Sequence, residues 1–499
     1  MAAGTSLAAQ SRLWQPDERV LITSFADVGA LAADQRKLYI ASPGGLAIYD
    51  YVRERWDYPS TVEDEYPAGE QPSALAYDPI QMEVWLGTAN GGLHRWRAVP
   101  SRWETVAFAL GQIQAIVPSI GIEVEGIWVQ TANGWYRAGR LAFGACSMPR
   151  DRVPATIAQR AVSRRSFDPS LNAFRATLGL DPLGRRWPIT SFTTGDRPEQ
   201  YWFGSGGNLV FKFDARGGSP TWFWYGATTR GVSAIARLAD TLWFGGDGRG
   251  PRSGLVRATR DLQRWYLLDP RDGAPNTRVD QIEVTPTHTY TAGNDGVSVL
   301  DRRNGRWQRL SSEAAVSVAT HASALFIGTR TGLRHINRAA SRVISGPAIQ
   351  RVRVIADTLW IATANGVFNA DAALHPDSLR LVQLPLPTAR FADVARAGSR
   401  MFALADDALF VRDSNGWSGP LRVPALGGLR RLNTIAADGD AVWIGGAMGI
   451  ARYQPAPEQW LFFLAPGDLP AGAVQHIVPD GEYVWAATPA GALRLQWRR

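Results

Sequence analysis

The sequence predicts an all-β chain, a β-propeller of about eleven four-stranded blades, and three observations carry that expectation. A strand, glycine turn, strand unit recurs through most of the length. Each copy carries apolar residues at fixed distances from its central aromatic. The beginning of the chain supplies a spare strand, while the last copy lacks one.

The unit is read most easily in EVWLGTANGGLHRW from Glu83, ALFIGTRTGLRHI from Ala324, TLWIATANGVFNA from Thr358, AVWIGGAMGIARY from Ala441 and YVWAATPAGALRL from Tyr483. Aligned on the aromatic, the copies fall at Tyr39, Trp85, Trp128, Trp202, Trp243, Tyr290, Phe326, Trp360, Phe402, Trp443 and Trp485. Most neighbours are 34 to 47 residues apart, which is the period of a propeller blade.

An aliphatic residue stands eight positions before the aromatic in most copies, as at Leu31, Ile235, Val352 and Ile477. Where that interval grows, from Leu75, Ile116 or Phe192, it grows by two or four residues, so the hairpin lengthens without turning its strands over. Six positions after the aromatic comes glycine, as at Gly45, Gly91, Gly296 and Gly449, suited to the positive φ of a tight hairpin. Two positions after it the residue is small, as at Gly87 and Gly445, so that inner strands can crowd together. About seventeen positions after it a second large residue recurs, as at Trp56, Trp103, Trp307, Val343 and Trp460; it is expected on the outermost strand, covering the seam between blades.

The copy at Trp485 ends too soon for an outer strand, and the segment SRLWQPDERVLITS around Trp14 is an unassigned strand. The N-terminal strand is therefore expected to complete the C-terminal blade, which removes an unpaired edge. Eleven blades exceed the usual single ring of roughly four to eight. Two rings, such as five plus six or four plus seven, are the first expectation, and a single wide ring is the alternative. By segment, blades 1–3 with the closing strand occupy 1–149, an irregular basic insertion occupies 150–186, and blades 4–11 occupy 187–499.

The stretches LWIAT-ANG-V and VWIGG-AMG-I resemble the repeats of the two-component-regulator propeller family. The resemblance covers nearly all of the chain apart from roughly 147–187. It implies a propeller fold and a place in the sensory part of signalling machinery, although no kinase or DNA-binding helix pair accompanies the repeats in this sequence.

Composition narrows the function classes. The net charge is +8, and its basic residues are nearly all arginine, Lys37 and Lys212 being the lysines; no aromatic platform or reading helix gathers that charge, so nucleic-acid binding is not expected. Cys146 is the single cysteine, which excludes an intramolecular disulfide or a thiolate metal cluster. No run reaches the roughly 20 apolar residues of a membrane-spanning helix. The opening SLAAQ resembles the small-residue end of a secretory signal, which predicts export to the periplasm; a cytoplasmic chain with a short tail is the alternative. The six histidines, His94, His288, His321, His335, His375 and His476, form no close ligand pattern, so no metal and no cofactor is expected. GGDGRGPRSG at 245–254 lacks the Gly-Lys-Ser/Thr ending of a phosphate loop.

Two groups of residues remain as candidate sites. A polar column two positions before the inner aliphatic should line the channel mouth, and from it and its neighbourhood Gln114, Asp280, Gln350, Asn433, Gln475 and His476 are candidates for a small polar ligand. One carboxylate without a partner is a poor basis for acid/base catalysis. The insertion holds eight arginines against three aspartates between Arg150 and Arg186; Asp168 and Pro169 should start a helix running to about Leu178, with Leu171, Phe174 and Leu178 on one face and Gly179 ending it. Arg152, Arg160, Arg164, Arg165, Phe174, Arg175, Arg185 and Arg186 are the candidates there for contact with a protein partner. The alternative is that the helix packs back on blades 3 and 4 with its arginines in water. The sequence thus favours a non-catalytic scaffold or accessory subunit that binds other proteins, a membrane-bound complex among the expected partners. A sensory ligand-binding propeller and a lyase or lactonase at the channel mouth are the alternatives.

Overall fold

The computed structural model describes the chain apart from residues 1–13, 16, 121–124, 165–168, 175, 196, 198, 249–251, 338–339, 422–425 and 499. Eleven sheets of four antiparallel strands account for nearly all of its regular structure. In chain order the blades span 30–56, 72–107, 113–148, 189–223, 232–267, 279–311, 315–345, 349–383, 391–421, 432–464 and 476–496, and they are numbered 1 to 11 below. Blade 11 supplies three strands of its own and takes Arg19–Ile22 as its fourth, next to Gly491–Gln496. Trp14, just before that strand, donates its indole N–H to Asp468 at 3.2 Å and packs 6.0 Å from Phe463.

The chain divides into two compact units, one of residues 1–21, 227–257 and 267–499, the other of residues 22–226 and 258–266. The second holds blades 1 to 4; the first holds blades 6 to 11 and the inner part of blade 5. The division falls between four blades and seven, with the hairpin tip of blade 5 counted with the smaller unit. Within the larger unit each innermost strand adjoins the next, from Val232–Leu238 round to His476–Asp480, which adjoins Val232–Leu238 again. Within the smaller unit the innermost strands adjoin in the order of blades 4, 1, 2 and 3, and a helix lies beside blade 3.

The repeat columns have the roles their spacing requires. Trp85, Trp128, Trp202, Trp243, Trp443 and Trp485 are fully buried on second strands. The glycines of the turn column take positive φ; Gly296, at +102°, has no room for a side chain, since a Cβ would stand 2.0 Å from the Ser311 carbonyl oxygen. The small-residue column makes space for the following blade: a Cβ on Gly87 would stand 2.4 Å from Ile113. Outer-strand aromatics cover seams, as Trp103 does between Tyr66 and the Ser60 hydroxyl that accepts its indole N–H. Val343, 49% exposed, is the member of that column that does not.

The insertion differs from expectation. The predicted helix from Pro169 to about Leu178 is a 3-10 helix over Pro169–Phe174 followed by turns; its proposed cap Asp168 lies outside the described residues. Gly179 closes the segment as foreseen, at φ +76°, where a Cβ would stand 2.6 Å from the Trp187 carbonyl oxygen. The α-helix of the region is Ala155–Ser163 (α1), which the sequence reading did not identify. Its Ile157 and Ala161, one turn apart, are buried against Ala115, Val117, Trp128 and Trp135 of blade 3. Leu171, Leu178 and Phe174 pack on Trp187 and on Phe203, Phe211, Phe213 and Trp222 of blade 4. Both halves of the insertion therefore pack back on blades 3 and 4.

Candidate functional site

The polar column of the sequence coincides with a backbone irregularity. In nine innermost strands the register with the second strand shifts at the same place, between the first and third residue, as at Pro72/Ala74, Val279/Gln281, Ile349/Arg351 and Leu432/Thr434. In seven of them the residue skipped is the polar column member, Ser73, Gln114, Thr190, Ser233, Asp280, Gln350 or Asn433; in the other two it is Val316 and Ala392. A bulge re-aims a side chain, and here several are aimed at the next blade. Ser73 donates to the Ile113 carbonyl at 2.6 Å, and Asn433 to the Val474 carbonyl at 3.2 Å. Asp280 is paired with Arg278 at 2.6 Å, and Arg278 also donates to Gln475 at 3.0 Å. Gln350 accepts from Arg390 at 3.1 Å. Gln114 is partly buried on the inner strand of blade 3.

One residue further along, a second set of side chains bridges blades of the larger unit. Gln281 accepts the Val318 N–H at 3.0 Å, Ser317 accepts the Val352 N–H at 2.8 Å, and Asp393 accepts the Ile435 N–H at 3.4 Å. His476 completes the series between the last and first blades of this unit, its Nδ1 accepting the Ile235 N–H at 3.4 Å. These acceptors satisfy backbone N–H groups that no strand pairs, because they lie on the inner edge of each sheet. Burial, together with the nearby Arg351 and Arg353, pushes the His476 imidazolium down to about 3.

Around the same inner edge lies a charge cluster that the sequence reading missed. Asp393, fully buried, takes both prongs of Arg353 at 2.7 Å, and Arg353 also donates to the Ile435 carbonyl at 3.1 Å. Burial and then the neighbouring guanidiniums act on the Asp393 carboxyl in opposite directions, and the guanidiniums and their hydrogen bonds prevail, holding it below its ordinary range. Glu283 faces the cluster with its carboxyl pushed up by burial. Arg351 is 7% exposed and comes no nearer to Asp393 than 3.7 Å. Arg351 and Asp393 stand one position past the polar column and Arg353 three positions past it, where most other copies have Ala, Ser or Thr.

The insertion uses several of its arginines internally. Arg160 donates to the Pro118 carbonyl at 3.1 Å and Arg164 to the Leu75 carbonyl at 3.3 Å, both on innermost strands. Arg185 pairs with Asp181 at 2.9 Å and lies over the Trp187 ring, and Arg186 donates to the Ala176 carbonyl at 2.7 Å. Phe174 is partly buried, 5.0 Å from Phe213. Arg152 is exposed, whereas Arg165 and Arg175 lie outside the described residues.

Beside the insertion, a turn of blade 3 and the connection that leads into it from blade 2 present apolar side chains. Phe108, Leu141 and Phe143 are 75%, 70% and 70% exposed. The turn 139–144 is fixed: Arg140 is buried, its Nε donates to Asp78 at 2.7 Å, its guanidinium reaches the Ser119 carbonyl, and the Gly144 N–H bonds to the Val106 carbonyl at 2.8 Å. The turn leads into Ala145–Met148, the edge strand of blade 3, on which Cys146 and Ser147 are exposed, and then to exposed Arg150 and Arg152.

Among the described residues no group of three or more His, Cys, Asp or Glu side chains is placed to hold a metal, and no helix is long and apolar enough to cross a membrane. The eleven four-stranded blades define a β-propeller repeat protein. No family model and no curated protein matches the chain. Among solved structures, an extracellular domain from B. thetaiotaomicron, designated as part of the one-component system BT4673, aligns over 98% of this chain and 75% of its own at 14% identity and a TM-score of 0.34. A second structure, designated as the extracellular domain of the hybrid two-component system BT4673, aligns over 99% of this chain and 77% of its own at 13% identity and a TM-score of 0.35.

Proposed function

We propose that this protein is a non-catalytic propeller scaffold or accessory subunit that docks a protein partner on the rim of blade 3. The observation that carries the reading is the anchored apolar turn: Leu141 and Phe143 stand 70% exposed on a loop whose own arginine is locked into a buried pair with Asp78. Large apolar side chains held rigidly in water lose little conformational freedom on association and gain the burial of their area. The neighbouring edge strand Ala145–Met148 offers unpaired backbone groups for strand addition. Arg150 and Arg152 offer two guanidiniums to carboxylates of the partner.

The larger unit supports the non-catalytic part of the reading, because the groups expected at its channel mouth are engaged in holding blades together. Asp280 is neutralised by Arg278, and His476 is spent as an acceptor for a backbone N–H in a form that does not protonate near neutral pH. Export to the periplasm, the reading of SLAAQ, directs the search for partners to periplasmic and membrane fractions.

Cys146, exposed on the docking strand and the single cysteine of the chain, provides the test. A photo-crosslinker attached to it should capture a defined partner from those fractions of the source organism, and the Leu141→Ser/Phe143→Ser double variant should lose that partner. Capture of the same set of proteins by both, with the same yield, would sink the proposal.

A further inference from the structure

The larger unit contains a buried cation whose donors are not satisfied. Nε and Nη1 of Arg351 have no hydrogen-bond acceptor, although the side chain is 8% exposed. Asp393 is already taken bidentately by Arg353. An unsatisfied buried guanidinium is costly, because desolvation of the charge is not offset by hydrogen bonds. Such a group is kept where something else supplies the acceptor.

The position of Arg351 is central. It comes from blade 8, yet its charge is felt by His476 of blade 11, and it feels Asp280 of blade 6 and Asp393 of blade 9. In the cyclic order of innermost strands, blades 8 and 11 lie on opposite sides of the lumen, so the charge of Arg351 acts across it. Two guanidiniums, Arg351 and Arg353, face one ionised carboxylate, Asp393. Glu283 is displaced by burial toward its neutral form, and His476 is neutral. Arg351 is therefore the guanidinium of the cluster whose Nε and Nη1 have no bonded carboxylate. Access is provided on the side where the Arg353 side chain keeps 29% of its exposure.

We propose that the lumen of the larger unit is a binding site for a small carboxylate anion, recognised by Arg351 with Arg353 beside it. A carboxylate presents two acceptor oxygens in one plane, which matches the fork of a guanidinium and the unmet Nε and Nη1 donors of Arg351. The site is independent of the blade 3 rim, which belongs to the other unit. Gln281, Ser317 and His476 hold the surrounding blades and keep the cluster in place. Ligand occupancy would join blades from both sides of the lumen, so binding should stabilise the whole unit.

The test uses the full chain in titration calorimetry and thermal melting with sodium acetate and sodium succinate, with sodium chloride at matched ionic strength and sodium phosphate as separate arms. A carboxylate is expected to bind saturably and to raise the melting temperature as occupancy grows. Arg351→Gln should weaken binding by at least about tenfold, the equivalent of one charge-assisted pair. It should also raise the melting temperature of the ligand-free protein, since it removes an unpaired buried charge. A purely structural arginine would do the opposite. Glu283→Gln, which changes a neighbour of the cluster that does not bond Arg351, should bind at least as tightly as the parent chain. The proposal is overturned by carboxylates acting no better than chloride, by phosphate binding more tightly than either carboxylate, or by Arg351→Gln binding as the parent does.

Discussion

His476 shows how a residue's environment decides between two roles that the sequence left open. Its histidine identity and channel-mouth position fitted a ligand or proton donor; its Nδ1 instead accepts the Ile235 N–H. The folded-state value of about 3 lies below the ordinary 6.5, so the unfolded chain binds the extra proton first as pH falls. The stability that neutral His476 contributes is therefore complete above about pH 6.5 and is lost progressively toward pH 3, with a limiting slope of about 1.4 kcal/mol per pH unit for one proton. His94 and His335, lowered chiefly by burial, act with the same sign. His476→Asn, which keeps an acceptor but cannot titrate, should flatten this part of the profile when melting temperatures are compared from pH 7 to pH 4. An unchanged slope would assign the acid sensitivity to other groups. A backbone case is Gly296: Gly296→Ala should cost about 1–3 kcal/mol in denaturant unfolding, since a side chain there meets both a disfavoured φ and the Ser311 carbonyl.

At the scale of elements, the strands were legible and the helices were not, for one physical reason. A blade strand repeats a two-residue alternation against the same neighbours eleven times, so errors in one copy are corrected by the others. The insertion occurs once. Within it α1 carries the weak pair Ile157 and Ala161 among polar residues, whereas Leu171, Phe174 and Leu178 had helical spacing but serve a 3-10 turn packed on aromatic rings. Packing rather than propensity decides both segments. Ile157→Ala should lower stability by about 2–4 kcal/mol, as expected for emptying a fully buried site, while Ser163→Ala on the exposed end of α1 should have little effect. Equal melting temperatures for the two variants would show that α1 does not support blade 3. The apolar turn at Leu141 and Phe143 gave no sequence signal of exposure, because nothing in the pattern distinguishes an apolar residue in a turn from one in a strand.

At the scale of the whole molecule, the number of blades and the closing strand followed from counting, since a chain with eleven central aromatics and one outer strand missing has few ways to pair every edge. The charge cluster of the larger unit was legible only as unusual residues in two repeat columns; its assembly was not, because Arg351, Asp393 and His476 are far apart in sequence and come from blades 8, 9 and 11. Removing residues 1–22 should leave Gly491–Gln496 as an open edge, lower the melting temperature and promote self-association in light scattering. Supplying the peptide 12–24 in trans should reverse both changes, and failure of the peptide to do so would argue against the strand acting as a detachable closure. The same pairing sets a timetable for synthesis. Arg19–Ile22 leaves the ribosome long before Gly491–Gln496 exists, while residues 22–226, which contain blades 1 to 4 entire, can fold in the interval. Arg19–Ile22 must wait for its partner until Gly491–Gln496 is made, so the nascent protein carries an unpaired strand while all the blades between them are translated, and a chaperone that shields short extended segments would find its target there.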